Sequence, residues 1–313
     1  MIVADLSSRE LRRRLSDDGL YLHSGPFICR IQSVLAKVAD GLALAYADYP
    51  LADADYADFH LRLAAPRLRR WISPQVQFHA DVRQPFLPLP QQQAYAMFEW
   101  GLNWCVSQHA NQYLILHAAV LEKNGRALVL PGHSGAGKST LCAGLVYGGG
   151  WRLLSDELTL IRPADGLIQA LPRPVSLKNA SIEVIKQLAP GAIFTPTVMD
   201  TSKGSVAHAK PPSDSIVRQQ ECARLAWVAF PRYRAGAALN TQTVSVPQLL
   251  MRLAEQAFNY SLHGQDGFST LLNWAQSAQA FEFEYSDLPQ AIAYFEQLAS
   301  QPHTQLQHEA APV

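Results

Sequence analysis

The residues with the clearest chemical role form a glycine-rich run, GHSGAGKS, at residues 132–139. The run matches the pattern G-x-x-x-x-G-K-[ST] in full, follows an apolar segment and opens a segment of helix-forming residues. In such a loop, backbone N–H groups surround a phosphate, the lysine contacts two phosphates, and the final hydroxyl binds Mg²⁺. A plain glycine-rich turn would not explain Lys138 and Ser139. The predicted ATP-binding residues are Gly132, His133, Ser134, Gly135, Ala136, Gly137, Lys138, Ser139 and Thr140.

A pair of acids, Asp156 and Glu157, follows the next apolar segment after the loop. The carboxyl ends of neighbouring strands in an open sheet line the same crevice, so we expect one acid beside the γ-phosphate of ATP. That acid would bind Mg²⁺ together with Ser139, or it would take the proton of an acceptor hydroxyl. The short spacing from the loop and the lack of an LSGGQ-like segment favour a kinase over an ABC-type motor or transporter. The alternative is that both acids are solvated at a strand end.

A histidine, His117, interrupts the apolar segment LILHAAVL that precedes the loop. Histidine in such a segment is commonly a hydrogen-bonded core residue. The functional alternative is that its imidazole faces the crevice and orients a phosphate or an acid. The candidate catalytic residues are therefore Asp156, Lys138 and His117.

Cations are needed over the γ-phosphate, because negative charge develops there during phosphoryl transfer. Each candidate taken alone is more commonly a surface charge, and we expect one or two of them to touch the substrate. The candidate cations are Arg173, Lys178, Lys210, Arg232 and Arg234, and the candidate substrate-contacting residues are Arg173, Lys178, His208 and Lys210.

The elements that must position these residues change in character along the chain. Residues 1–110 alternate short helical and strand patterns, which predicts a small α+β module. Residues 111–300 begin with continuous apolar runs, typical of strands buried on both faces, and contain a strand–loop–helix–strand unit whose last strand is predicted over WRLLSDELTLI. Residues 195–215 are rich in Pro, Ser, Thr and Lys and predict a long functional loop or lid. Two amphipathic helices follow, the second with Asp287 as its cap, and residues 301–313 predict a disordered tail.

Composition narrows the classes of protein and partner. The 313 residues are 48% hydrophobic and 17% charged, and 26 basic residues balance 26 acidic ones. No broad basic face for nucleic acid or anionic lipid is indicated. The four cysteines show no CxxC spacing, and no segment has the length and apolarity of a signal peptide or spanning helix. We therefore expect a cytoplasmic protein that binds neither membrane nor nucleic acid.

The segment from LHAAVLEKNG through GHSGAGKST to LLSDELTLI resembles the core of the HPr serine kinase/phosphorylase superfamily. The later segments PRPVSLKN, VAHAKPP and FPRY are most similar to the HPr kinase-related kinase group A proteins. The resemblance implies an α/β P-loop kinase core, with a mixed sheet flanked by helices, after the small N-terminal module. It also implies that His117 is an active-site histidine, that Asp156 is the base and that Glu157 lies near the metal. His133 replaces an acid and Glu157 an aspartate of the family pattern.

The function expected from these observations is an ATP-dependent, Mg²⁺-assisted kinase. The acceptor would be a hydroxyl, with a serine of a small protein or peptide expected first and Asp156 as base. One alternative is a small-molecule P-loop kinase of the adenylylsulfate or gluconate kinase type, whose acceptor is a metabolite. Another is a nucleotide-binding regulatory module with slow turnover. The resembled family forms rings, which leaves a homo-oligomer open.

Overall fold

The protein is described by a computed structural model that covers residues 1–66, 73–133 and 135–301. In that part of the chain a five-stranded, an eight-stranded and a three-stranded sheet are flanked by helices, so the fold is α/β with mixed sheets. The helices are α1 (Ser8–Ser16), α2 (Ala36–Ala45), α3 (Ala94–His109), α4 (Lys138–Tyr147), α5 (Ala180–Leu188), α6 (Ser213–Val217), α7 (Val246–Glu255), α8 (Tyr260–Ser277) and α9 (Leu288–Ser300), with short 3₁₀ helices at Val3–Asp5 and Gln91–Gln93.

The N-terminal sheet runs in the order β1-β2-β3-β4-β5. Strands β2 and β3 are parallel, and the other neighbours are antiparallel. Alternating burial along β3 places Phe59, Leu61 and Leu63 against α3, as the alternating sequence pattern predicted. The strands are β1 (Leu20–Ser24), β2 (Phe27–Ser33), β3 (Phe59–Ala64), β4 (Gln75–Ala80) and β5 (Leu89–Pro90).

The eight-stranded sheet runs in the order β10-β9-β6-β7-β14-β16-β15, and β8 also pairs with β6. Strands β7, β14 and β16 are parallel, whereas β6 is antiparallel to β7, β8 and β9. Apolar side chains pack on both faces, under α4 and α9 on one and under α7 and α8 on the other. The strands are β6 (Leu114–Lys123), β7 (Arg126–Pro131), β8 (Arg152–Ser155), β9 (Leu158–Ile161), β10 (Ile168–Gln169), β14 (Arg224–Tyr233), β15 (Asn240–Thr243) and β16 (Gln279–Tyr285).

The predicted loop at residues 195–215 is wrong, because most of this segment is ordered as strands and a short helix. It contains β12 (Val198–Thr201) and β13 (Gly204–Ala209), which join β11 (Val175–Lys178) in the three-stranded sheet, and it continues into α6. Strand β13 lies between the other two, so its backbone groups are paired on both sides. Composition concealed β13, the central strand, because one of its two partners, β11, lies about thirty residues earlier in the chain.

Two further boundaries differ from the sequence prediction. The segment predicted as one strand, WRLLSDELTLI, forms β8 and β9 with a break at Asp156 and Glu157. The first amphipathic helix ends at Glu255, since Phe258 N–H donates to the Ile115 carbonyl and the chain crosses β6 there. The Asp287 cap is confirmed, because its carboxylate accepts a hydrogen bond from Gln290 N–H at 2.8 Å.

The segment before residue 110 is in contact with the remainder of the chain. Tyr49 Oη donates to the Pro172 carbonyl at 2.8 Å, and Lys210 forms an ion pair with Asp48 at 2.8 Å. The apolar core below α3 also includes Leu158 of β9. The division near residue 110 stays a prediction, and the predicted tail lies outside the described residues from residue 302 onward. Of the helices described, none combines the length and apolarity needed to cross a membrane.

Candidate active site

The glycine-rich loop joins the end of β7 to the start of α4, as the sequence predicts. Gly135 and Gly137 have positive φ angles of 89° and 92°, which other residues adopt only with strain. Lys138 begins the helix, so N–H groups of its first turn have no partner within the helix and face the loop. The predicted ligand residue Ser134 lies outside the described residues.

Two tyrosines at the ends of the parallel strands hold this loop in place. Tyr285 Oη donates to the Gly137 carbonyl at 3.1 Å, and Tyr233 N–H donates to the Ala136 carbonyl at 3.1 Å. A Cβ atom at Gly137 would lie 2.7 Å from Tyr285 Oη, so only glycine fits this contact. The ends of β14 and β16 therefore fix the backbone of the phosphate-binding loop.

Lys138 is buried, with 8% of its surface exposed, and its Nζ has no hydrogen-bond partner among the described residues. Burial lowers the pKa of Lys138, whereas the negative charges of Asp156 and Glu157 raise it. A buried ammonium without a partner is costly, so this side chain is suited to an anion that enters from outside the protein.

Asp156 lies in the break between β8 and β9, almost fully buried at 5% exposure. Its Oδ2 accepts a hydrogen bond from Ser176 N–H at 3.0 Å, while Oδ1 has no partner in the part of the chain that the structure describes. Burial and the charge of Glu157 raise the pKa of Asp156 to about 6, against the opposing effects of Ser176 N–H, the Ser139 hydroxyl and Lys138. The alternative of a solvated strand end is therefore wrong for Asp156.

Glu157 is half-buried, and its carboxylate accepts a hydrogen bond from Asn103 of α3. The side-chain Oδ1 of Asn103 in turn accepts a hydrogen bond from Arg173, and Arg173 forms a buried ion pair with Glu99, one turn earlier on α3. Sequence reasoning missed both α3 residues. The available signal was that Glu99 is the one acidic residue of α3, within an otherwise apolar stretch.

The Glu99 carboxylate has two further donors from the N-terminal part of the chain. Tyr95 Oη donates to Glu99 Oε1 at 2.6 Å, and Tyr46 Oη donates to Glu99 Oε2 at 3.2 Å. These contacts satisfy the carboxylate and orient it toward Arg173. The two tyrosines therefore support the Glu99–Arg173 ion pair, and Arg173 in turn orients Asn103, which binds Glu157.

His117 is half-buried on β6, where it lies opposite Leu158 in the strand register. Burial and, to a smaller extent, the positive charge of Lys138 lower the pKa of His117 to about 4, against the opposing effect of Glu157. Its imidazole is therefore neutral at neutral pH. Because His117 lies close to Lys138 and Glu157, the alternative in which its imidazole faces the crevice is favoured over that of a core histidine away from the site.

The candidate cations separate into two groups. Arg173 is ion-paired with Glu99, Lys210 is ion-paired with Asp48, and Arg232 and Arg234 are largely exposed near Glu284. Lys178, at the end of β11, forms no salt bridge within the described part of the chain. Its positive charge lowers the pKa values of Lys138, His117 and His208, so it acts on both the loop and the cavity residues.

A small cavity, with a volume of about 20 Å³, adjoins the acids. It is enclosed by α3 and by the segments around β8 and β11, and Asp156, Glu157, Arg173, Ser176 and His208 line it. The predicted substrate residues Arg173 and His208 thus lie at one cavity with the acids, whereas Lys210 lies outside its lining.

The residues present fit a magnesium–nucleotide pair. No group of three or more His, Cys, Asp or Glu side chains suited to a metal is found among the described residues. Mg²⁺ bound to a nucleotide needs only one or two carboxylates, because phosphates and water supply its other ligands. Glu157 and the Ser139 hydroxyl meet that need, and the Asp156 carboxylate lies next to both.

Comparison with known proteins yields one similarity. Residues 91–180 match the sequence model of a family described as SynChlorMet cassette protein ScmC. The matched segment extends from α3 through β11, so it includes the glycine-rich loop, both acids, Glu99 and Asn103, but not His208. No curated protein matches the chain.

Proposed function

We propose that this protein is an ATP-dependent kinase that transfers the γ-phosphoryl group to a hydroxyl, with an α/β P-loop core like that of the HPr serine kinase/phosphorylase superfamily. The observation that supports it most is a pair of buried, unpartnered charged atoms, Lys138 Nζ and Asp156 Oδ1, beside a glycine-rich loop at a helix start. Buried polar atoms are nearly always paired in native proteins. A phosphate on Lys138 and a hydroxyl on Asp156 would pair both.

Asp156 would act as the base. Its Oδ2 is held by Ser176 N–H, which leaves Oδ1 to take the acceptor's proton. As the acceptor O–H bond breaks, its oxygen bonds to the γ-phosphorus, and the bond from that phosphorus to the bridging oxygen breaks. The electron pair of that bond leaves with ADP. A pKa of about 6 suits a base near neutral pH, since the carboxylate is ionised yet still able to accept a proton.

The remaining residues have positioning and electrostatic roles. The loop N–H groups and Lys138 would hold the β- and γ-phosphates, and Lys178 is the cation best placed to stabilise charge on the transferring group. His117, neutral at the site, would orient a phosphate oxygen or an acid by hydrogen bonding. Ser139 and Glu157 would hold Mg²⁺, which supplies charge neutralisation on the phosphates.

The test of this function is incubation of the protein with γ-labelled ATP and an extract of its native cell, followed by mass identification of the labelled product. Label above background on a hydroxyl supports the kinase. A small labelled metabolite would identify the small-molecule alternative, and release of free phosphate at background rate with no labelled product would leave a nucleotide-binding module.

Lys138→Ala should weaken ATP binding by about 10- to 100-fold, because a charge-assisted contact to phosphate is lost. Isothermal calorimetry with ATP and Mg²⁺ measures this change, with the surface variant Lys186→Ala as control. Removal of an unpartnered buried charge should not destabilise the nucleotide-free protein. Unchanged ATP affinity in Lys138→Ala would contradict the phosphate-binding role.

A further inference from the structure

Four buried polar atoms without partners surround the cavity beside the acids. They are Asp156 Oδ1, Arg173 Nε, Ser176 Oγ and His208 Nε2, and in the described part of the chain each lacks a hydrogen bond. The residues that bear them are at most 8% exposed. Since unsatisfied buried polar atoms are few in native proteins, their convergence on one cavity indicates a polar ligand there.

The strand register explains why these atoms converge. Ser176 of β11 lies directly opposite His208 of β13, so their side chains are neighbours on one face of the three-stranded sheet. The alternate residues, Leu177 and Ala207, point to the opposite face and pack in the apolar core. Because Ser176 N–H also binds Asp156, this polar face is attached directly to the residue assigned as base.

We propose that this cavity is the acceptor pocket, and that Ser176 and His208 bind a compact, uncharged group carrying an aliphatic hydroxyl. The inference rests on the proposed kinase function and adds the class of its acceptor. Helix α3 closes the pocket through Glu99, Trp100 and Asn103, so the N-terminal part of the chain contributes to acceptor binding.

The residues that line the cavity restrict the chemical class of the acceptor. Its apolar residues are Trp100 and Pro174, so an aromatic acceptor such as a phenol would place a ring against Ser176 Oγ and His208 Nε2 and leave both unpaired. A compact group with hydrogen-bonding atoms beside its hydroxyl would pair them. The cavity leaves about 20 Å³ for the centre of a water-sized group, so it admits only a small polar tip such as a hydroxymethyl group.

The charges disfavour an anionic acceptor. The positive charge of Arg173 is balanced by Glu99, whereas Asp156 and Glu157 have no arginine or lysine ion pair among the described residues. Lys138 and Mg²⁺ would offset the ATP phosphates, so a sulfate or phosphate on the acceptor would add uncompensated negative charge beside these carboxylates. A serine side chain in a peptide and a small neutral hydroxy metabolite share the required chemistry.

The test uses full-length protein, γ-labelled ATP and native-cell extract divided into macromolecular and small-molecule fractions. Ser176→Ala and His208→Phe each remove one unpartnered polar atom. Ser24→Ala is the matched control, because Ser24 is also fully buried with an unpartnered hydroxyl but does not line the cavity. ATP affinity and the unfolding midpoint are measured for every variant.

We expect the concentration of acceptor fraction that half-saturates transfer to rise by about 5- to 30-fold in Ser176→Ala and in His208→Phe, with ATP affinity unchanged. Ser24→Ala should match the wild type. The fraction that becomes labelled tells peptide from metabolite. A phosphoserine product should lose its phosphate in alkali by β-elimination, because the C–H beside its ester carbon is acidic, whereas an ordinary alkyl phosphate of a metabolite should keep it. If His208→Phe is unstable, Ser176→Ala alone decides.

Two results would contradict the proposed acceptor pocket without contradicting the proposed kinase function. One is wild-type half-saturation in both variants, which would mean that the unpartnered atoms hold only water. The other is an alkali-stable phosphate on a phenol. Absence of any labelled product with the wild type would instead reject the kinase function itself, and the pocket with it.

Discussion

Asp156→Asn should lower phosphoryl transfer by about 10²- to 10⁴-fold and leave ATP binding intact. The amide keeps the shape of the carboxyl and can still accept the hydrogen bond from Ser176 N–H, but it cannot take the acceptor's proton. Transfer from labelled ATP and calorimetric ATP affinity, measured on the same preparation, separate these effects. Unchanged transfer would remove Asp156 as the base.

The same variant should be more stable than the wild type at neutral pH. Burial raises the pKa of Asp156 from an ordinary 3.8 to about 6, so the folded protein disfavours the charged carboxylate. Below about pH 4 both states are protonated and no penalty exists; it accumulates as the pH rises and is complete above about pH 6. Asp156→Asn should therefore raise the free energy of unfolding by about 1–3 kcal/mol at neutral pH.

Urea unfolding of wild type and variant at about pH 8 and about pH 4 measures this stability difference. The gain should be present at the higher pH and absent at the lower one. Asp53→Asn, an exposed acid, is the control and should show no gain at either pH. A destabilised Asp156→Asn at neutral pH would mean that the carboxylate supports the fold instead of the reaction.

Arg173→Met should be among the most destabilising single substitutions, lowering the free energy of unfolding by about 3–5 kcal/mol. It leaves the Glu99 carboxylate buried at 2% exposure without its cationic partner, although Tyr46 and Tyr95 still donate to it. Chemical denaturation measures the loss. Arg13→Met, which breaks an exposed ion pair with Glu10, is the control and should leave stability nearly unchanged.

The double variant Glu99→Leu/Arg173→Met distinguishes the contribution of this ion pair to stability from its contribution to phosphoryl transfer. Removal of both charges should recover most of the lost stability, because a buried ion pair can be replaced by apolar side chains at little net loss. Transfer should stay impaired, since Asn103 loses the arginine that orients it toward Glu157. Recovery of stability and transfer together would show that the network has no positioning role.

The glycine-rich loop and helix α4 could be predicted from sequence because their determinants are local. Glycines at positive φ angles, a lysine at the helix start and a buried strand before them all lie within one short segment. The helix cap at Asp287 could be predicted for the same reason, since its hydrogen bond joins two residues only three positions apart. Local chemistry of this kind needs no knowledge of the rest of the fold.

The missed features depend on contacts between distant segments. Glu99 and Asn103 acquire a role only when α3 packs on Arg173, about seventy residues later in the chain. Strand β13 was hidden because its composition is typical of loops, and its partner β11 supplies the pairing. Lys178 and Lys210 looked equivalent in sequence, and only the position of Asp48 beside Lys210 distinguishes them.

The hydrogen bonds from α3 to Glu157 also have an evolutionary consequence. A carboxylate at residue 99 is tolerable only beside a cation at residue 173, so neither position can change alone without loss of stability. Homologous chains should therefore substitute Glu99 and Arg173 in a correlated way, with Asn103 changing alongside them. An alignment in which these positions vary independently would contradict this. If the two positions are coupled, the segment that carries Glu99 and the segment that carries Arg173 must evolve together. Exchange of one segment between homologues should therefore give an active protein only when the other segment is exchanged with it.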